Sequence, residues 1–258
     1  MLRDGEELYM EFTEIDETYS LYERRYNLTK MAFEAGIIDE DFNNLTSKDK
    51  FLLLSYKLKE SNKINLASFF FGKLFEISFE MEALINKIDC LIELGEYDEA
   101  MRFNNIGWEL FLEDPTVNSF EVEKKLSFQK AIVSFYTGKY HFAEIVCEES
   151  IIKFKSKEFY YLLCADFIAL SNYDSAKKFF EKYGCKFNTQ TDFLIEVFIH
   201  LLNVNLTDKA MDFVGFIFGI SDKQKNSIVG YINNNYSFNK SRAILKSFFE
   251  KEIFVSVK

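Results

Sequence analysis

The side chains best suited to hold a metal or act as nucleophiles in this 258-residue chain are two histidines and four cysteines. Cys90, Cys147, Cys164 and Cys185 form no CxxC pair, and His141 and His200 lie far apart in sequence. That is neither a zinc pattern nor a dense disulfide framework. Acidic pairs such as Glu148-Glu149 and the run Asp39-Glu40-Asp41 have the right chemistry for proton transfer. Neighbouring acids on a helix or loop are nevertheless most simply solvated surface. His141 follows Tyr140 at a break between helices and reads as structural. There is no GxSxG, HExxH, GxGxxG or phosphate-loop sequence. The expectation is a non-enzymatic protein with no metal and no cofactor.

Composition narrows the partners. Formal net charge is −10, with no Lys/Arg-rich run, so the field of the molecule repels nucleic acid. No apolar run reaches the roughly 18 residues of a membrane span. The N-terminus opens with acidic residues rather than a basic and apolar leader, and the sequons at Asn27, Asn44, Asn205 and Asn235 then read as chance. A reduced, cytoplasmic setting is expected. With 48% hydrophobic residues, the chain has enough apolar material for a large core. One proline and ten glycines leave few helix breakers, which points to an all-α protein. Thirty phenylalanines reflect a coding bias more simply than a function.

The elements that would carry these side chains are marked by alanine. Ala67, Ala100, Ala143, Ala176, Ala210 and Ala243 are separated by 33, 43, 33, 34 and 33 residues. Several share one local frame: Gly95-Glu-Tyr97-Asp-Glu-Ala100, Gly138-Lys-Tyr140-His-Phe-Ala143 and Asn172-Tyr173-Asp-Ser-Ala176. A period near 34 residues is the signature of paired-helix repeats of the tetratricopeptide type, whose stacked pairs offer a concave face to other proteins. Helix breaks are expected near 61–63, 77–79, 95–97, 113–119, 137–139, 155–157, 171–173, 184–190, 205–207, 219–222 and 233–239. The 43-residue interval contains about ten extra residues, assigned to a loop that includes Asp114-Pro115. The small alanines let the two helices of a pair approach closely, with Tyr97, Tyr140 and Tyr173 packing at the turns. Trp108 falls on an apolar face with Phe111 and Leu112, and Phe69-Phe70-Phe71 and Phe248-Phe249 are read as core.

The first third has a more specific pattern. Glu6-Glu7-Leu8-Tyr9-Met10, Glu23-Arg24-Arg25-Tyr26, Leu45-Thr46-x-x-Asp49-Lys50-x-Leu52-Leu53-x-x-Tyr56-Lys57 and Ala67-Ser68-Phe69 occur in order. This resembles a highly divergent 14-3-3 protein over about residues 4–70. Ser156-Lys157-Glu158-Phe159-Tyr160-Tyr161, with Asp166, is similar to a later helix of that family. The resemblance implies an all-α adaptor that binds phosphoserine or phosphothreonine peptides and dimerises through its N-terminal helices. Lys57 matches the pocket lysine, and Lys63 lies near the place of a missing arginine. The family's arginine–tyrosine pair falls on Ala169-Leu170, so the phosphate pocket is expected to be degenerate. The dimer contact would involve Leu8, Phe12, Ile15 and Tyr19.

The two readings share an all-α antiparallel helical array in one domain, 1–258, with N-terminal helices over 1–44, helical pairs over 45–250 and a tail over 251–258. They differ in function: a 14-3-3-like adaptor that takes protein segments in a groove, or a tetratricopeptide-type scaffold subunit of a larger assembly. They also conflict at Ser61-Asn62, where the repeat requires a turn and the family an unbroken helix. About nine long helices would favour the adaptor, and about twelve short ones the scaffold. The apolar, β-branched tail over 251–258 is expected to dock in extended form on the array, with a last helical turn followed by a frayed end as the alternative.

Overall fold

The computed structural model describes residues 47–114, 119–187 and 189–220, with 222, 245–247 and 249. The dimer contact expected at Leu8, Phe12, Ile15 and Tyr19, the alanine at position 243, the breaks beyond 222 and the 251–258 tail lie outside the described residues. Within them, ten α-helices run in chain order: α1 (Ser47–Glu60), α2 (Ile64–Ser78), α3 (Met81–Leu94), α4 (Tyr97–Glu113), α5 (Phe120–Tyr136), α6 (Tyr140–Phe154), α7 (Lys157–Ala169), α8 (Tyr173–Tyr183), α9 (Gln190–Asn203) and α10 (Thr207–Phe218). The fold is an all-α array of helical pairs. No described helix is long and apolar enough to cross a membrane.

Consecutive helices pair, and one turn joins the members of every pair. Asn62, Gly95, Gly138, Ser171 and Asn205 have φ between 58° and 77°. Each lies five residues before its repeat alanine. Positive φ is the geometry of a helix end that reverses handedness, and glycine and asparagine tolerate it best. In all five turns the next residue's N–H reaches back into the preceding helix: Lys63 to Leu58 O (2.9 Å), Glu96 to Leu91 O (2.9 Å), Lys139 to Ser134 O (2.8 Å), Asn172 to Phe167 O (2.8 Å) and Leu206 to Leu201 O (2.9 Å). The same residue's carbonyl then accepts from the repeat alanine, at 2.9 to 3.1 Å. One residue therefore closes the first helix and opens the second, which satisfies backbone groups that helix ends leave orphaned.

Every repeat alanine from Ala67 to Ala210 is the fourth residue of its helix and has no exposed surface. In the fourth pair, the Cys164 thiol lies 4.0 Å from the carbonyl oxygen of Ala176, so the two backbones approach across two small side chains. Around these contacts lie fully buried Phe70, Phe71, Phe135, Phe159, Phe193, Phe198 and Phe213. Phenylalanine thus fills the helix interfaces of this chain. Phe69 and Trp108 are half-buried and Phe111 is buried, whereas Leu112 is 74% exposed, so the apolar face assigned to Leu112 does not extend to it.

The long interval is built differently from the expectation. α4 and α5 have 17 residues each, against 15 in α2 and 14 in α3. About half of the extra length is therefore helix rather than loop. Added helical residues bond their own backbone, so they need no new partners at the surface.

The chain divides into two compact units, Met1–Gln129 and Lys130–Lys258, with the boundary inside α5. In the first unit α1 packs on α2, α2 on α3, and α3 on α4. Polar bonds join other helices of the unit: α1 to α3, α4 to α5 and α5 to α3. The Tyr56 hydroxyl on α1 donates to Glu82 of α3 (2.6 Å) and accepts from Asn86 (3.1 Å), and burial beside that carboxylate pushes the phenol up to about 12. Asn104 of α4 donates to the Leu126 carbonyl at 2.9 Å, and Gln129 donates to Ile85 O and Asp89 Oδ1. In the second unit α7 is central, packing on α6, α8, α9 and α10.

Candidate functional site

The residues nominated by sequence are placed as follows. Lys57 is in the last turn of α1, where its ammonium donates to Glu60 Oε2 at 3.0 Å on an exposed face. Lys63 is the residue that closes the first turn of the array, with its N–H on Leu58 O and its carbonyl on Ala67 N. Ser61-Asn62 form a turn with Asn62 at φ 59°, so the helix that the 14-3-3 resemblance requires to be continuous is broken there. Asn62 allows that break because its short side chain tolerates left-handed backbone. Of the arginine–tyrosine equivalents, Ala169 is buried and Leu170 ends α7. Arg102, the one arginine among the described residues, pairs with Glu99 on α4.

Two other clusters are assembled by the second unit. The first is interior. Asp166, on α7, has no exposed surface, and neither carboxylate oxygen has a hydrogen-bond partner among the described residues. Desolvation, reinforced by the nearby Glu144 charge, raises its carboxyl to about 9. Burial, together with the Asp166 charge, also raises the Tyr140 phenol and the Cys147 thiol. On α9, His200 packs against Phe135, and its Nδ1 lies 3.3 Å from the Tyr136 hydroxyl, which accepts from Asn203 at 2.9 Å. Desolvation lowers His200 to about 4. At neutral pH both groups are therefore uncharged.

Compared by sequence, the chain matches no family model and no curated protein. Compared by structure, it is similar to a thermophilic TPR protein of Thermus thermophilus, with a TM-score of 0.47 and 15% identity, over 72% of this chain and 98% of that one.

The second cluster is at the surface, where α7, α8 and the connection to α9 meet. Tyr160 of α7 is buried, while Tyr183 at the end of α8 and Phe187 in the connection are half-buried. The ring centroids of Tyr183 and Phe187 each lie 5.0 Å from that of Tyr160. Phe179 continues the cluster, 4.7 Å from Tyr183. The Lys186 ammonium lies among the first three rings, 4.4 Å from Tyr160, 5.3 Å from Tyr183 and 5.2 Å from Phe187. It also donates to the Tyr160 hydroxyl at 2.7 Å. The short bond places the ammonium at the hydroxyl edge of Tyr160, so it acts there as a charged hydrogen-bond donor.

Sequence reading missed both clusters. Asp166 is a lone carboxylate within the apolar run Phe159–Ala169, which is a visible signal for a buried acid. The alternation of lysine with aromatics in Lys177-Lys178-Phe179-Phe180-Glu-Lys182-Tyr183-Gly-Cys-Lys186-Phe187 is a visible signal for cation–aromatic contacts. Tyr160, more than 20 residues away, could be joined to them only through the pairing of α7 with α8.

Proposed function

We propose that the chain is a non-enzymatic protein-interaction scaffold of the tetratricopeptide type, working as a subunit of a larger assembly. The observation that supports this reading is the single construction used five times: helix, left-handed turn, helix, with an alanine buried at the fourth position of the second helix. In such arrays the anchors are spent on the core, and specificity lies in the side chains left outside. Ten helices of 11 to 17 residues among the described residues also favour the scaffold over nine long helices.

The 14-3-3-like adaptor is the second reading and rests on the motif order of the first third. The broken helix at Asn62 and the engagement of Lys57 by Glu60 weigh against a phosphate pocket there.

Affinity purification of the full chain from its source cells, with and without phosphatase treatment, tests both. The scaffold reading expects a stoichiometric protein partner that survives phosphatase. Loss of the partner on dephosphorylation would favour the adaptor, and a chain recovered with no stoichiometric partner would contradict both.

A further inference from the structure

We propose that the exposed face of α6 is a docking surface for an amphipathic helix of a partner protein, one that carries apolar residues at steps of three and four with basic residues beside them. The proposal rests on the scaffold reading and names the kind of partner.

α6 buries Ala143, Cys147 and Ser150, all of them small. Its exposed residues include Phe142 (43%), Ile145 (54%) and Ile152 (79%). The second helix of every other described pair buries at least one phenylalanine: Phe70 on α2, Phe111 on α4, Phe180 on α8 and Phe213 on α10. The small residues of α6 suit its close packing on α7, while the large ones are left to solvent. Large apolar side chains gathered on one exposed face mark an interaction surface.

The spacing restricts what can cover that face. Phe142, Ile145, Glu149 and Ile152 follow one another at steps of three, four and three. Those steps put all four on one side of the helix, in the pattern by which two helices interlock their side chains. Three of the positions are apolar and one is a glutamate. Glu148 lies beside it, and both carboxylates are exposed with no ion-pair partner among the described residues. A helix laid over Glu149 must bring a cation to it, because a carboxylate covered by apolar side chains alone is costly. A second copy of this chain does not supply that cation. Two copies paired along the full seam would set Glu149 against Glu149 if parallel and against Ile145 if antiparallel. The net charge of −10 adds repulsion between copies and attraction for a basic partner.

Fluorescence anisotropy on the purified full chain with two synthetic helical peptides tests this. Both peptides carry leucines at steps of three and four; one has arginines beside them and the other glutamates. The arginine peptide should bind about tenfold more tightly than the glutamate peptide, since like charges across an interface repel. Ile145→Asp and Ile152→Asp alter exposed side chains and should each abolish that binding, with unchanged circular dichroism as the folding control. Glu149→Arg should remove or reverse the preference. Leu112→Asp, at an exposed leucine of α4, should leave binding intact. The proposal is overturned if neither peptide binds, if the two bind alike, if binding survives both aspartates, or if Leu112→Asp loses it too. A native dimer that becomes monomeric in Ile145→Asp by sedimentation would assign the face to a second copy and overturn it as well. In the complex with a co-purified partner, the same two aspartates should release that partner. Retention by both variants would overturn the assignment of this face and leave the scaffold reading standing, whereas the scaffold reading itself fails only where no stoichiometric partner is recovered.

Discussion

Asp166 and His200 occupy the same position in successive helical pairs, each ten residues ahead of its repeat alanine, Ala176 or Ala210. The repeat therefore puts an acid and a base at equivalent places, Asp166 fully buried and His200 half-buried. Neither is charged at neutral pH, because burial raises the acid to about 9 and lowers the base to about 4. This makes the second unit sensitive to pH in a way that follows from sign alone.

The unfolded chain releases the Asp166 proton near its ordinary value of 3.8, while the folded chain keeps it until about 9. The folded state binds more protons across that window, so stability falls as pH rises through it. His200 acts oppositely: its folded value of about 4 lies below the ordinary 6.5, so stability falls as pH drops from 6.5 towards 4. The two slopes oppose each other below pH 6.5, and only that of Asp166 remains above it. Asp166→Asn should remove a decline of up to about 1.4 kcal/mol per pH unit between 6.5 and 9. Thermal melts at several pH values check this. A variant whose gain over the native chain is no larger at about pH 8.5 than at about pH 5 would contradict it.

The turns give a second prediction. A Cβ at Gly95 or Gly138 meets no atom within 4 Å, yet both residues have φ near 77°. Gly95→Ala and Gly138→Ala should therefore cost about 1–2 kcal/mol through backbone strain alone. Ser171→Gly, at φ 60°, should be neutral or stabilising. Urea denaturation of the three variants measures this, and equal stability of all three would show that the shared turn does not carry strain.

How much of this was legible in sequence varies with the physics. The pairing, the turns and the buried alanines repeat locally, so spacing alone located them; the breaks near 61–63, 95–97, 137–139, 171–173 and 205–207 correspond to the five turns. The extra helical length of α4 and α5 was hidden, because Pro115 drew attention to the loop and nothing in the pattern fixes a helix end to within a turn. The surroundings of Asp166 and of Tyr160 depend on which helix faces which, and no local period encodes that. Lys57 was singled out by a motif match, and its structural partner, Glu60, lies only one turn away.

Packing at the alanines is the third prediction. Ala143 and Ala176 are wholly buried at the start of α6 and α8. Leucine at either position would force the paired helices apart and cost roughly 1–3 kcal/mol. Calorimetric melting checks it, and unchanged transitions in both variants would remove the alanines as anchors.

The fourth prediction concerns phosphate. Lys57 is exposed and engaged by Glu60, and an isolated lysine is a poor substitute for a bidentate arginine clamp. Phosphoserine peptides should bind weakly or not at all by isothermal calorimetry, and Lys57→Glu should change little. Tight binding lost in that variant would restore the adaptor reading.

The measurement that tests the scaffold reading most directly is hydrogen–deuterium exchange on the full chain, alone and in complex with its co-purified partner. The account predicts new protection on exposed helix faces from more than one pair, while the amides that close the turns, Lys63, Glu96, Lys139, Asn172 and Leu206, keep the protection their backbone bonds already give. Protection confined to the surroundings of Asp166 and His200, or none at all, would contradict a protein-binding scaffold and point instead to a small ligand held in the interior.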